Sequence, residues 1–327
     1  MLILLALACA ACGQQSASSG PEQGSTAAQS ALPAADQDAA STGLNELNRL
    51  REIGGLKPVT FDATLNRDCY AHAKYLVDQG PSDPQQFVDY RVSLGLNAHT
   101  EDPHSKYYSP AGMECTQGGE PTPGYSRSND VAWGHDPKDD MDGLFYDAPF
   151  HRLSLLATWA TAAGYGSYGN WPMRVGVLSL RGEGGIGSPL IRFPSAGSTV
   201  PVGEVRTFEI PNPLSSCPGY ALPAGLPITI QFGSGYRGRL VSYSLRGPAG
   251  PLETCGFDWT SYRNPRAVEQ AHGRKSLQMF GGMVLVPREP LANGHYDVTV
   301  DTGRQTLTWS FVIDASQSSQ ASNDQDH

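Results

Sequence analysis

Apolar residues first recur at helical spacing at Leu44, Leu47 and Leu50, and Gly54-Gly55 ends the run, so structure is expected to begin with a helix near Leu44. Asp62 is placed to cap a second helix, striped by Leu65, Cys69, Ala73 and Leu76 and stopped by Gly80. His72 lies beside that stripe and reads as a packed or half-exposed helical histidine. From Pro81 to Gly134 no period holds, which predicts a long irregular loop held by packing and cross-links. Asp136-Pro137, with Asp139, Asp140 and Asp142 following, then predicts a helix start: a cap, a proline in the first turn, and negative charge at the positive end of the dipole. The same acids do not make a calcium loop, because Lys138 takes the first ligand position and no glutamate closes it.

The period then shortens to two. Segments 162–168 and 173–180 read as strands. After Glu183-Gly184-Gly185, short alternating runs separated by turns occupy 206–210, 227–232, 238–245, 283–286, 296–300 and 306–312. In the fifth of these, Tyr296, Val298 and Val300 point one way and Asp297 and Thr299 the other, the spacing of a β-sandwich. Leu291-Ala292-Asn293-Gly294-His295-Tyr296 resembles the corner before a late strand of Ig-like domains, where the tyrosine hydroxyl bonds back to the main chain.

The 327 residues allow two domains, and a net charge of -9 with no basic stripe argues against a nucleic-acid partner. With 37 Gly and 25 Pro, turns, loops and β-structure are expected over helical bundles. The N-terminus is apolar from Met1 to Ala11, shorter than the roughly 20 residues a membrane span needs. It fits the end of a secretion signal, and Ala10-Ala11-Cys12-Gly13 resembles a bacterial lipobox, which implies lipidation at Cys12 and a membrane anchor. Residues 13–42 are Ser, Ala, Gln, Gly and Pro with almost nothing to bury, and read as a disordered tether; 315–327 read as a similar tail. Of the six cysteines, Cys9 and Cys12 belong to the leader. Cys69 and Cys115 fall in the first half of the body and Cys217 and Cys255 in the second, which suits one disulfide in each half in an oxidising compartment.

Residues 44 to about 181 resemble the CAP domain of cysteine-rich secretory proteins, antigen 5 and pathogenesis-related 1 proteins, in its bacterial secreted branch. The resemblance is carried by Leu44-Asn45-Glu46-Leu47-Asn48-Arg49-Leu50-Arg51, Gly55-Leu56-Lys57-Pro58, Ala71-His72-Ala73, His99 with Gly112, Phe145 with Pro149, His151 and Arg152, and Gly164-Tyr165-Gly166. It implies a three-layered α-β-α sandwich over 43–182; with the 1–12 leader and the alternating runs of 188–314 read as an all-β Ig-like sandwich, the chain reads as α+β. It also implies an open cleft in which His99 and His151 converge. Two glutamates of the family's cleft are replaced here: Asn129, beside Asp130, stands at one position and the other falls near Ala148, with Glu101 as a candidate substitute.

No metal or other cofactor is required by this pattern, since two neutral imidazoles alone form a weak site; a zinc ion on His99 and His151 is the alternative. Gly164-Tyr165-Gly166-Ser167-Tyr168-Gly169 is a literal GxGxxG, but a strand rather than a helix follows, so no helix terminus is available for a pyrophosphate. HExxH and GxSxG are absent, and Trp133 and Trp171 read as packing residues. The expected function is binding of an extracellular or envelope ligand (lipid, glycan or peptide) in a cleft lined by His99, His151, Glu101, Asn129 and Asp130. The alternatives are a metal-assisted hydrolase using the histidine pair, or an adhesion or envelope-structure protein acting through the Ig-like domain.

Overall fold

Helical and strand periods divide the chain where the sequence changes from one to the other. The computed structural model describes residues 32–116, 125–183, 190–207, 209–233 and 235–318; Cys9, Cys12 and the 13–31 part of the expected tether lie outside the described residues. The first helix, α1 (Ala34–Ile53), starts at Ala34 rather than near Leu44. Its alanines are strong helix formers, and Ala40 joins Leu44, Leu47 and Leu50 in the core, so the helix runs back into a stretch whose composition reads as tether. After β1 (Thr60–Phe61), Asp62 accepts from the amides of Thr64 and Leu65 and caps α2 (Ala63–Gln79).

The stretch expected as irregular contains two helices, α3 (Pro84–Leu94) and α4 (Pro110–Thr116), with a 3-10 turn at Gly95–His99. Asp83 caps α3 and Pro84 opens it, but Phe87 is its one fully buried anchor, too little for a period to be legible. Then follow β2 (Tyr125–Ala132), α5 (Pro137–Asp142) capped by Asp136, a π-helical turn at Gly143–Asp147, α6 (Pro149–Leu155), β3 (Ala162–Tyr168) and β4 (Val175–Glu183).

The four strands form one sheet in the order β1-β3-β4-β2, with β1 parallel to β3 and the other pairs antiparallel. Alternation along β4 builds two cores. Val175 and Val177 face α2, α3 and α4 through Leu65, Cys69, Leu76, Phe87 and Cys115. Leu178 and Leu180 face the opposite way, toward Leu44, Leu47, Leu50, Met141 and Phe145 of α1, α5 and the turn after it. The result is an α-β-α stack. A Cβ on Gly166 would lie 2.1 Å from the Tyr70 amide nitrogen, so the strand glycine is what lets α2 rest directly on β3.

The second half carries β5 (Ile191–Phe193), β6 (Thr199–Val200), β7 (Glu204–Val205), β8 (Ala224–Gly225), β9 (Ile228–Gln231), β10 (Ser242–Gly247), β11 (Gly250–Leu252), β12 (Thr254–Asp258), α7 (Ala267–Phe280), β13 (Gly282–Pro287), β14 (Gly294–Asp301) and β15 (Thr306–Ile313). One sheet runs β11-β10-β14-β15-β6, a second β12-β13-β9-β5, and β7 pairs with β8. Tyr296, Val298 and Val300 are buried as their alternation implies, and the Tyr296 hydroxyl donates to the Ala292 carbonyl at 2.7 Å. The 206–210 run is not a strand: the ladder ends at Val205, and Glu209 turns into the interior. α7 was not legible as a helix, because Gly273 interrupts it and only Gly273, Leu277 and Phe280 form its buried stripe. The tail opens with a short 3-10 turn, Ala315–Ser318, rather than as disordered chain.

Both disulfides join the expected partners, Cys69 to Cys115 and Cys217 to Cys255. Cys69 lies on α2 and Cys115 on α4, so the first bridge closes the stretch that lacks a strong apolar period. From Leu32 onward the chain forms one compact unit, and a single apolar cluster runs from Ala40 through Phe150 and Phe193 to Ile313. The boundary expected between 182 and 188 falls largely on residues 184–189, outside the described residues.

Candidate functional site

α6 begins without a cap of its own. Ala148 stands at its N-cap position and has no side-chain acceptor for the first amides. Glu209 supplies one from the second half of the chain: Oε1 accepts from the Phe150 amide at 2.7 Å, and Oε2 from the His151 amide at 3.0 Å. The same Oε2 lies 2.6 Å from His151 Nδ1, so one buried carboxylate holds both the start of the helix and the imidazole it carries.

Across the site the 3-10 turn at Gly95–His99 delivers His99. Its ring centroid is 5.9 Å from that of His151, with the planes inclined by 27°. Asn129 Nδ2 donates to the His99 carbonyl at 3.3 Å. Asp130, next along β2, is buried and receives the Ser154 hydroxyl at 2.7 and 2.8 Å from its two oxygens. The structure therefore brings His99, His151, Asn129 and Asp130 to one place.

Glu101 is used elsewhere. Its Oε1 lies 3.1 Å from Nδ1 of His72 and its Oε2 accepts from the Ser109 amide at 2.9 Å. Among the described residues it makes no hydrogen bond to either site histidine, which corrects its expected place in the cleft. The cause is α2: His72 is fully buried there, with Nε2 2.9 Å from the Ala98 carbonyl, and it needs an acceptor for its other nitrogen. Gly112 belongs to this pair as well, since a Cβ there would sit 1.8 Å from Glu101 Oε1.

The two site histidines differ electrically. Burial pushes the His99 imidazole down to about 3, and repulsion from His151, His272 and His72 adds to this against the Asn129 side chain. Burial also opposes protonation of His151, but the hydrogen bond and charge of Glu209, with the charge of Asp130, outweigh it and raise the ring above 6.5. Burial lifts the Asp130 carboxyl to about 6, although His151 and Ser154 both favour its ionised form. The two rings are thus biased in opposite directions, His99 toward the neutral form and His151 toward the protonated one. His151 keeps 13% of its side-chain surface exposed, and among the described residues its Nε2 has no hydrogen-bond partner. Such an arrangement can donate to and accept from the same small polar group.

Glu209, Ser154 and His272 were not anticipated from the sequence. His272, on the exposed side of α7, is lowered by partial burial and by the charges of His151 and Lys275. One signal for Glu209 was available: Ala148-Pro149 opens a helix with no local acceptor, so an acceptor had to come from elsewhere. Among the described residues no group of three or more His, Cys, Asp or Glu side chains is arranged to hold a metal ion.

Residues 44–178 match the family model for CAP, the cysteine-rich secretory protein family, which supports a CAP assignment for that segment. The match spans less than half of the chain and ends before Glu209. No curated protein matches the chain. Among solved structures, the copper resistance protein PcoC from Escherichia coli aligns at 17% identity over 38% of this chain and 95% of its own, with a TM-score of 0.20. An outer surface protein from Borrelia burgdorferi aligns at 14% identity over 44% of this chain and 91% of its own, with a TM-score of 0.27. Overlaps this small carry no argument about fold or function.

Proposed function

We propose that this is a secreted, surface-tethered CAP-domain protein that binds a small polar or amphipathic extracellular ligand at the His99–His151 pair. The observation that carries this reading is the pairing itself: two imidazoles with ring centroids 5.9 Å apart, one of them bonded through Nδ1 to Glu209. A hydroxyl or amide of a lipid, glycan or peptide could meet a donor on one ring and an acceptor on the other. Secretion and tethering rest on the CAP assignment and on the lipobox-like Cys12, and no helix among the described residues is long and apolar enough to cross a membrane. The second half is read as an Ig-like sandwich on the strength of its two sheets and the Tyr296 corner. A metal-assisted hydrolase is less well supported, because among the described residues no group of three or more His, Cys, Asp or Glu side chains is arranged to hold a metal.

The test is a melting-shift panel of lipid vesicles, oligosaccharides, peptidoglycan fragments and peptides, run on the full chain and on His99→Ala/His151→Ala. A shift present in the native protein and lost in the folded double variant is expected. Equal shifts in both proteins, or no shift with any probe, would remove the pair as a binding site.

A further inference from the structure

We propose that Glu209 is the positioning residue of the site. On this proposal, which rests on the reading above, the second half of the chain fixes the orientation and tautomer of His151 and is a structural part of the ligand site rather than a spacer. Glu209 lies beyond the segment that matches the family model and 58 positions from His151. It is buried, and among the described residues its three hydrogen bonds run to the first turn of α6.

The Nδ1 contact has a definite consequence. A carboxylate accepts and does not donate, so Nδ1 must carry the hydrogen. When the ring is neutral, its lone pair is left on Nε2, the nitrogen that has no partner among the described residues. When it is protonated, the extra hydrogen appears at Nε2. Either way, the nitrogen available to a ligand is chosen by a residue the ligand need not touch. The charged and titratable groups around the ring are His99 from the 3-10 turn, Asp130 from β2, His272 from α7 and Glu209 itself. Asp130 is engaged by Ser154, which leaves Glu209 as the group bonded to the ring.

The second half holds α6 at further points. Arg152 Nη1 donates to the Pro227 carbonyl at 2.6 Å, and Gln231 Nε2 to the Leu153 carbonyl at 2.8 Å. The Phe150 ring lies 5.1 Å from that of Tyr262. α6 is thus held at each of these points by residues that come after the matched segment. A truncation after residue 182 would expose this packing and lose Glu209 together, so the experiment keeps the full chain.

A capping role alone would satisfy the two backbone amides and leave the ring free to choose its tautomer, and the test separates the two roles. Nitrogen NMR of the ligand-free full-length protein, at a pH where His151 is neutral, is expected to show hydrogen on Nδ1. This needs no variant and no ligand. In Glu209→Leu, which offers the ring no acceptor, the Nδ1-bound hydrogen is expected to give way to the Nε2-bound form, and the midpoint of His151 protonation to fall. Glu209→Asp, which keeps the charge on a shorter arm, is expected to fall between them. An Nε2-bound hydrogen in the native protein would overturn the proposal, as would an unchanged tautomer in folded Glu209→Leu. Since no ligand is present, a negative binding panel would leave these results standing, and the two readings fail separately.

Discussion

The α-β-α sheet carries a histidine–glutamate pair on each side, and the two are built differently. On the side of α2, α3 and α4, His72 and Glu101 both come from the CAP-matched segment and both side chains are fully buried. Every nitrogen and oxygen of that pair has a partner in the Ala98 carbonyl, the Ser109 amide or the other member. On the other side, His151 pairs with Glu209 across the two halves of the chain, part of the ring stays exposed, and Nε2 is left over. A pair that is satisfied all round can stabilise but has nothing to offer a ligand. A pair with a spare nitrogen and an unlike neighbour in His99 can.

The largest effect should come from breaking the closed pair. Glu101→Ala strands both His72 Nδ1 and the Ser109 amide, each worth about 1–3 kcal/mol, so a loss of about 2–6 kcal/mol is expected in denaturant unfolding. A loss under about 1 kcal/mol would erase the contrast, since that is what an exposed pair contributes. Gly112→Ala attacks the same pair by steric means: its Cβ would press on Glu101 Oε1, and about 1–3 kcal/mol should be lost without any change in the titration of His151.

The open pair should show itself in pH dependence instead. His99 is lowered to about 3 in the folded protein, so between about 3 and its unfolded value of 6.5 the unfolded chain binds the extra proton and stability rises with pH. His151 and Asp130 are raised, so each contributes stability at low pH that is lost as pH climbs through its folded value, about 6 for Asp130. His99→Asn is expected to remove the rising component between about pH 3 and 6.5 and leave the falling ones. Unfolding free energies measured across that range check the slope, whatever constant offset the substitution brings.

The closed side was the more legible in the sequence. The α2 stripe, the Asp62 cap and the Cys69–Cys115 bridge follow from local spacing, because each is set within one segment or by neighbours of the same half. The strand 296–300 was legible for the same reason, a period of two with one wet face, whereas 162–168 is buried on both faces. Convergence of His99 and His151 came from the family resemblance; no spacing could show it. Glu209 was out of reach because its role depends on a contact across 58 positions, and its segment alternates like a strand while its side chain caps a distant helix. α3 and α7 were missed where a short helix buries only one or a few side chains, leaving the pattern too thin to separate from loop.

The most direct measurement is a proton NMR titration of the ring hydrogens of His99 and His151 in the native protein. This account expects His151 to titrate above 6.5, and His99 to stay neutral until far more acidic pH. Both rings titrating together near 6.5 would contradict it, because an equal, solvated pair would be neither buried by the fold nor biased by Glu209.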